Sequence, residues 1–497
     1  MQWEKLNLIF IGSRQRVSPF PTYLSFEIFC RDVGEFVPAV VRDGVCVFEK
    51  NIGTWFAPKE VWQGTSQVIA RAVFDNPQLF SQLTAEHNRH AKAFVSFTQQ
   101  AADEVRAGGV SGERLLELYE GFEPRYRKIY APYAPVWLMG DALSDALYNI
   151  VLHHGTNPIK AAEILNILTQ EPSAMVTLTE RRALLILAIN IQKHKDWVKT
   201  VKERQTKEAD ELSELIDRQQ KEFFWLTRDY EDPILTYDDV VDRLARVLAG
   251  NPEEELRTLT ESRETVAKKR ADHIQSLSIS PEHQALFTAM REATHLKELR
   301  KKSVSSALYY FDTVLQEIVK RSFLTIAQIR FLKTSEVRGI LLEDRDMTDE
   351  LNERMRVSLW YSHDGSDTEV ITGKEAQAFR DKFCAVNKDT TEFQGVGVSP
   401  GVAKGPVKIV MNPDECGKVE KGDVIVSIQT VPSFTPAIMK AAALVCDGGT
   451  GMTSHPATLA REAGIPAVIQ TRFAREVLRD GQLVEVDGNR GIVRIVS

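Results

Sequence analysis

Through most of the chain, apolar positions recur at helical rather than strand spacing. Leu308, Phe311, Leu315 and Ile318 follow a 3-4-3 rhythm and place one apolar stripe on a helix that serves the core. Ser111 stands where a helix N-cap would, ahead of Gly112-Glu-Arg-Leu-Leu-Glu-Leu118, and Pro158–Leu168 reads as another helix. Residues 193–225 and 253–300 are dense in Lys, Glu, Arg and Gln, as in long solvated helices, an antiparallel pair with one buried face rather than a coiled coil. Before this, Val37–Arg42 and Val45–Phe48 are β-rich runs flanking Asp43-Gly44, a hairpin signal. After residue 395 the period shortens. Val407–Val410, Val424–Ile428, Leu444–Cys446, Ala467–Ile469, Leu483–Val486 and Ile492–Ile495 read as strands, with helices near 435–442 and 454–463.

Glycine sharpens the division. Residues 1–394 hold 15 glycines and residues 395–497 hold 13, while Gly250 alone lies between Gly155 and Gly339. A stretch so poor in glycine suits long helices, whereas the last fifth suits tight turns and close backbone approach. The expected architecture is multidomain: a β and irregular segment over 1–56, a helical domain over 57–386, a polar hinge linker over 387–394 and a β-rich α/β domain over 395–497. With 43% hydrophobic and 26% charged residues the composition is that of globular domains. A net charge of −7 lacks the basic footprint of a nucleic-acid binder. Five scattered cysteines fit neither a disulfide framework nor a structural zinc site. There is no apolar run of about 18 residues, the length a membrane span needs. The expectation is a soluble, cytoplasmic protein with no nucleic-acid and no membrane partner.

Chemistry concentrates in Asp447-Gly-Gly-Thr-Gly-Met-Thr-Ser-His455-Pro-Ala-Thr-Leu-Ala-Arg-Glu-Ala-Gly-Ile-Pro466. A strand ends at Cys446 and a glycine-rich turn follows. Thr453 or Ser454 can cap the next helix, and Pro456 fits its first turn. Helix N-termini attract anions, and a neutral imidazole placed there is a nucleophile near neutral pH. A capping or core role for His455 is the bland alternative. His87 and His90 share a helix face, but no third ligand stands at a diagnostic spacing, so they read as surface histidines and no metal site is expected. His153-His154 reads as a helix end.

The run Gly448-Gly449-x-x-x-Thr453-Ser454-His455-x-Ala457-x-x-Ala460-Arg461-Glu462-x-Gly464-Ile465-Pro466-Ala467-Val468 resembles the mobile phosphohistidine domain of the phosphoenolpyruvate-utilising enzymes. That family includes phosphoenolpyruvate synthase and pyruvate, phosphate dikinase, and rifampicin phosphotransferases share the domain. Gly397-Val-Ser-Pro-Gly401-Val-Ala-Lys-Gly405 is similar to its first strand and turn, and Val486-Asp-Gly488-x-x-Gly491 to its closing hairpin. The resemblance implies a β/β/α swivelling domain in which His455 is transiently phosphorylated, framed by Gly448, Gly449, Gly451, Thr453 and Ser454. Pro456-Ala457-Thr458 departs slightly from the family pattern. Trp3, the hairpin through Gly44–Asn51, and Leu315–Leu341 are similar to the helical region of the phosphotransferase branch, the last run, with Phe331-Leu-Lys-Thr-Ser-Glu336, resembling a helix–loop–helix found there. In the rifampicin enzymes that region holds the acceptor; a purely structural spacer is the alternative.

No stretch matches a phosphate loop of the Gly-x-x-x-x-Gly-Lys-[Ser/Thr] type, an ATP-grasp domain, or the barrel that binds pyruvate. The expected function is therefore a phosphotransferase subunit, dikinase-like and incomplete on its own. ATP and Mg2+ would sit on a separate ATP-grasp partner rather than on this chain, and the phosphoryl group would pass to a small-molecule acceptor. A docking or regulatory protein without turnover, and a self-sufficient phosphotransferase using phosphoenolpyruvate, are the alternatives.

Overall fold

The computed structural model describes residues 3–38, 41–139, 142–156, 158–170, 176–208, 210–363, 366–384, 388–411, 413–428, 430, 434–448 and 455–496. Among these, helices predominate and two sheets form. The chain divides into two compact units. One comprises residues 73–133 and 147–317 and is helical; the other gathers residues 1–72, 134–146 and 318–497 and contains both sheets.

The helical unit is built as its periodicity requires. Ser111 caps its helix, accepting from the Arg114 amide at 3.1 Å, and the Pro158–Thr169 helix matches the expected one. The charged run over 193–225 is not one long helix: it breaks after Lys202, where Arg204 adopts φ 58°. The run over 253–300 likewise breaks between Pro252–Ser276 and Pro281–Arg321, with Ser278 at φ 51°. The Pro252–Ser276 helix carries a half-buried stripe at Leu256, Leu259, Arg263, Val266 and Arg270, the single inward face favoured over a coiled coil. Leu308, Phe311, Leu315 and Ile318 are all buried. Phe122 lies at the centre of an aromatic cluster, 4.4 Å from Phe311 and 5.2 Å from Phe94 between ring centroids.

The first sheet has five antiparallel strands: β1 (Leu8–Gln15), β2 (Asp43–Glu49), β3 (Ile52–Pro58), β4 (Ser358–His363) and β5 (Glu369–Ile371), in the order β1-β3-β2-β4-β5. The helical domain expected over 57–386 therefore contains two strands, and β4 pairs with β2 from the other end of the chain. Asp43-Gly44 is not a turn but the start of β2. An added Cβ on Gly44 would lie 2.1 Å from the Phe26 ring, so glycine is there to let that ring pack. The β2–β3 reversal falls instead at Lys50-Asn51, where Lys50 takes φ 59°. Trp3 packs against Phe379 at 4.9 Å and donates from Nε1 to Glu375 Oε1 at 3.1 Å. The helix–loop–helix expected around Phe331–Glu336 is present. Glu336 caps it at the Lys333 amide, 2.8 Å away, and is gripped by buried Arg354 at 2.6 and 2.7 Å.

The second sheet has eight strands: β6 (Glu392–Gln394), β7 (Val396–Ser399), β8 (Val402–Ile409), β9 (Val424–Ser427), β10 (Ala443–Cys446), β11 (Ala467–Ile469), β12 (Leu483–Asp487) and β13 (Ile492–Ile495). Their order is β6-β13-β12-β8-β9-β10-β11-β7, with β8 to β11 parallel. Alternation sorts the side chains: Ile425, Leu444 and Cys446 join the core beneath the helices, while Val424, Val426 and Val445 face the opposite core. The polar linker expected over 387–394 ends early, because Phe393 is buried against Val484, Val486 and Val493 and draws β6 into the sheet.

Candidate functional site

The segment singled out by sequence leaves the carboxyl end of β10, in the parallel part of the sheet, where loops of α/β folds gather ligands. Asp447 is the first residue beyond the strand and is 1% exposed. Its Oδ1 accepts from the Ala474 amide at 2.7 Å and the Thr471 hydroxyl at 2.9 Å. Oδ2 accepts from the Arg475 amide at 3.3 Å, with Arg475 Nε 3.4 Å away. Burial pushes the carboxyl up to about 6, against the opposing pull of Thr471 and the Arg475 charge. Asp447 thus ties the start of the loop to the segment after β11. Sequence reasoning passed over it; the signal was an acidic residue directly between an apolar strand end and paired glycines.

Gly448 donates to the Ile428 carbonyl at 2.7 Å. A Cβ here would stand 3.0 Å from that carbonyl oxygen and 3.2 Å from the Ser13 carbonyl of β1, both main chain and unable to yield. The glycine is needed where two strands pinch the loop, and Arg472, over the Phe10 ring at 5.8 Å, joins the same two regions. Gly449, Gly451, Thr453 and Ser454 lie outside the described residues.

A helix begins at His455 and runs to Ala463. Ala457 and Ala460 are fully buried against the sheet, and Arg461 donates to the Val398 carbonyl of β7 at 2.9 Å. Gly464, at φ 67°, ends the helix. The packing and anchoring roles of Ala457, Ala460 and Arg461 leave the His455 position at the helix start, beside first-turn amides that have no partner within the helix itself.

The other histidines separate. His87 is not at the surface: it is fully buried, its Nδ1–H donating to the Ile129 carbonyl at 2.9 Å and its Nε2 facing the Ser303 hydroxyl at 3.2 Å. The i, i+3 spacing could not reveal this, because the neighbouring stripe is itself core. Burial lowers its pKa, so it sits neutral. His90 is partly exposed and pairs with Glu86 at 3.1 Å. His153 ends its helix as expected. Among the described residues no group of three or more His, Cys, Asp or Glu is arranged to hold a metal, and no helix is long and apolar enough to cross a membrane.

Residues 419–491 match the family model for the mobile domain of PEP-utilising enzymes. The C-terminal region belongs to that family. A probable phosphoenolpyruvate synthase of Archaeoglobus fulgidus is 50% identical over 101 residues, 20% of this chain and 13% of that protein. An uncharacterized phosphotransferase of Bacillus subtilis, YvkC, is 34% identical over 175 residues, 34% of this chain and 21% of the relative. The chain thus matches only a small part of the length of these relatives. The solution structure of an Enzyme I (nEIt) protein, at 15% identity and a TM-score of 0.18 over 66% of this chain and 81% of that one, is too slight a likeness to carry any inference.

Proposed function

We propose that this chain is the phosphoryl-carrying subunit of a phosphotransferase and that its mobile domain is a β/β/α swivelling domain. The observation that carries the reading is the position of His455 as the first residue of a helix at the carboxyl end of parallel strands, within the family's signature. An imidazole nitrogen of His455 attacks the donor's phosphorus. The N–P bond forms as the P–O bond to the nucleotide breaks, and the acceptor's oxygen later takes the group as the N–P bond breaks. Gly448, Gly449, Gly451, Thr453 and Ser454 frame the phosphoryl group with backbone amides and hydroxyls.

The donor is ATP, held with Mg2+ on a separate ATP-grasp polypeptide; the first 394 residues hold no phosphate-loop motif. The acceptor is a small molecule bound in the helical region. The domain swings on the residues ahead of β6, and docking at each station keeps water from the labile phosphohistidine.

The test is to incubate the purified chain with labelled ATP, with and without a nucleotide-binding partner, and with labelled phosphoenolpyruvate. Acid-labile phosphate should appear only with ATP plus partner and vanish in His455→Ala. Label from ATP alone, tight Mg-ATP binding by the isolated chain, or label from phosphoenolpyruvate would favour a self-sufficient enzyme. Absence of label under every condition would favour a docking protein.

A further inference from the structure

Among the described residues, no carboxylate stands within ion-pair distance of one guanidinium enclosed in the helical unit. Arg300, on the Pro281–Arg321 helix, is 5% exposed, and its Nε is sealed from solvent without a hydrogen-bond partner. The groups acting most strongly on it are not carboxylates but the phenols of Tyr133, Tyr230, Tyr130 and Tyr126, all buried. Tyr133 covers one face of the guanidinium, whose carbon stands 4.6 Å from the ring centroid. His87 adds no negative charge, since it is neutral and held by Ile129 and Ser303.

Other buried arginines of this protein are built differently. Arg354 and Arg228 share the unpartnered Nε, but Arg354 meets Glu336 and Glu350 and Arg228 meets Asp312 at 2.6 Å. Arginine cannot shed its proton to relieve burial, and a buried charge left alone costs several kcal/mol. Cation–π contact with one tyrosine recovers only part of that cost. A guanidinium covered on one face, with its Nε left without a partner, can offer its planar fork to two oxygens of a carboxylate or phosphate.

We propose that Arg300 is the anion-binding residue of an enclosed subsite in the helical unit, taking the carboxylate or phosphate group of a small molecule, with the phenols of Tyr126, Tyr130, Tyr133 and Tyr230 around it. The subsite goes beyond the transfer proposed at His455 and does not depend on it.

The experiment is thermal unfolding of the full chain in inorganic phosphate, in acetate, and in chloride at matched ionic strength. Phosphate or acetate should raise the midpoint by about 5 °C at a hundredfold excess over its dissociation constant, with chloride far less effective. Phosphate and acetate, tested separately, tell which oxyanion fits. Arg300→Met should raise the midpoint in anion-free buffer, by removing the lone charge, and erase the anion increment. Should that variant fail to fold, Arg300→Lys keeps the charge without the fork and should reduce the increment. His455→Ala should retain it, which separates this site from the phosphohistidine loop. Equal shifts in all three salts, no shift in any, or an unchanged increment in either Arg300 variant would overturn the proposal.

Discussion

The helical unit and the C-terminal sheet solve the problem of a stable interior in opposite ways. The helical unit fills its core with large side chains, Phe94, Phe122, Tyr126 and Phe311 among them, all essentially inaccessible to water. The C-terminal domain relies on aliphatic side chains and on backbone segments that touch. At Gly397 a Cβ would lie 2.1 Å from the Gly488 carbonyl, and at Gly488 one would lie 2.0 Å from the Ser399 carbonyl. Gly395, Gly397, Gly405, Gly488 and Gly491 are thus spent where main chain touches main chain within the sheet. Gly422, Gly464 and Gly481 instead serve turns, at φ 97°, 67° and 82°. A glycine count locates such a domain without locating its site.

The largest effect should come from breaking the backbone closure. Gly488→Val should cost at least about 4 kcal/mol and release the C-terminal domain as an unfolded segment. Proteolysis should then consume residues 392–496 while far-ultraviolet dichroism retains most of the helical signal. Survival of the domain would show that the hairpin can shift to make room. Phe122→Ala should cost about 3–5 kcal/mol in urea unfolding, because it empties the centre of the aromatic cluster. A loss under 1 kcal/mol would mean that the cluster can collapse and that side-chain filling is not what holds the unit.

The pH dependence should differ in sign between the two regions. Asp447 has a raised carboxyl, so its contribution is full below about pH 4 and is lost as pH rises towards 6, on the order of 2–3 kcal/mol. Asp447→Asn should flatten that slope. His87 has a lowered pKa, so its contribution is full above about 6.5 and declines as pH falls below that value. His87→Gln should flatten the acid limb. Hydrogen exchange resolved by region, measured at pH 4.5 and 7, would show the helical unit loosening on acidification and the C-terminal domain tightening. Parallel behaviour would refute the contrast. The smallest effect belongs to Gly464→Ala, where φ 67° makes a side chain cost about 1 kcal/mol in melting of the C-terminal domain.

The sequence made the C-terminal domain legible because its order is local. Val424–Ser427, Ala443–Cys446 and Ala467–Ile469 pair with strands from the same hundred residues, and each run carries its own period. The first sheet was half hidden: Ser358–His363 is short, and its partner β2 lies at the other end of the chain. Asp43-Gly44 misled because a glycine that admits a phenylalanine ring has the same letter as one that turns. Asp447 was concealed by its glycine neighbours, which drew attention to themselves. Arg300 lay within a charged run, yet Leu296, Arg300, Val304, Ala307 and Phe311 form one buried helical stripe, and phase alone could have found it.

The pairing of Phe48 with Ser358 also sets a timetable for synthesis. At the usual pace of translation, β2 emerges on the order of 15–60 s before β4 exists to cover it. During that wait β1, β3 and β2 can pair as three strands with the β2 edge open, while the intervening helical unit is free to fold from contacts of its own. The nascent chain should thus present an unsatisfied strand edge to chaperones for most of its translation. A genetic rearrangement that moved residues 318–371 next to residue 72 would remove that exposure.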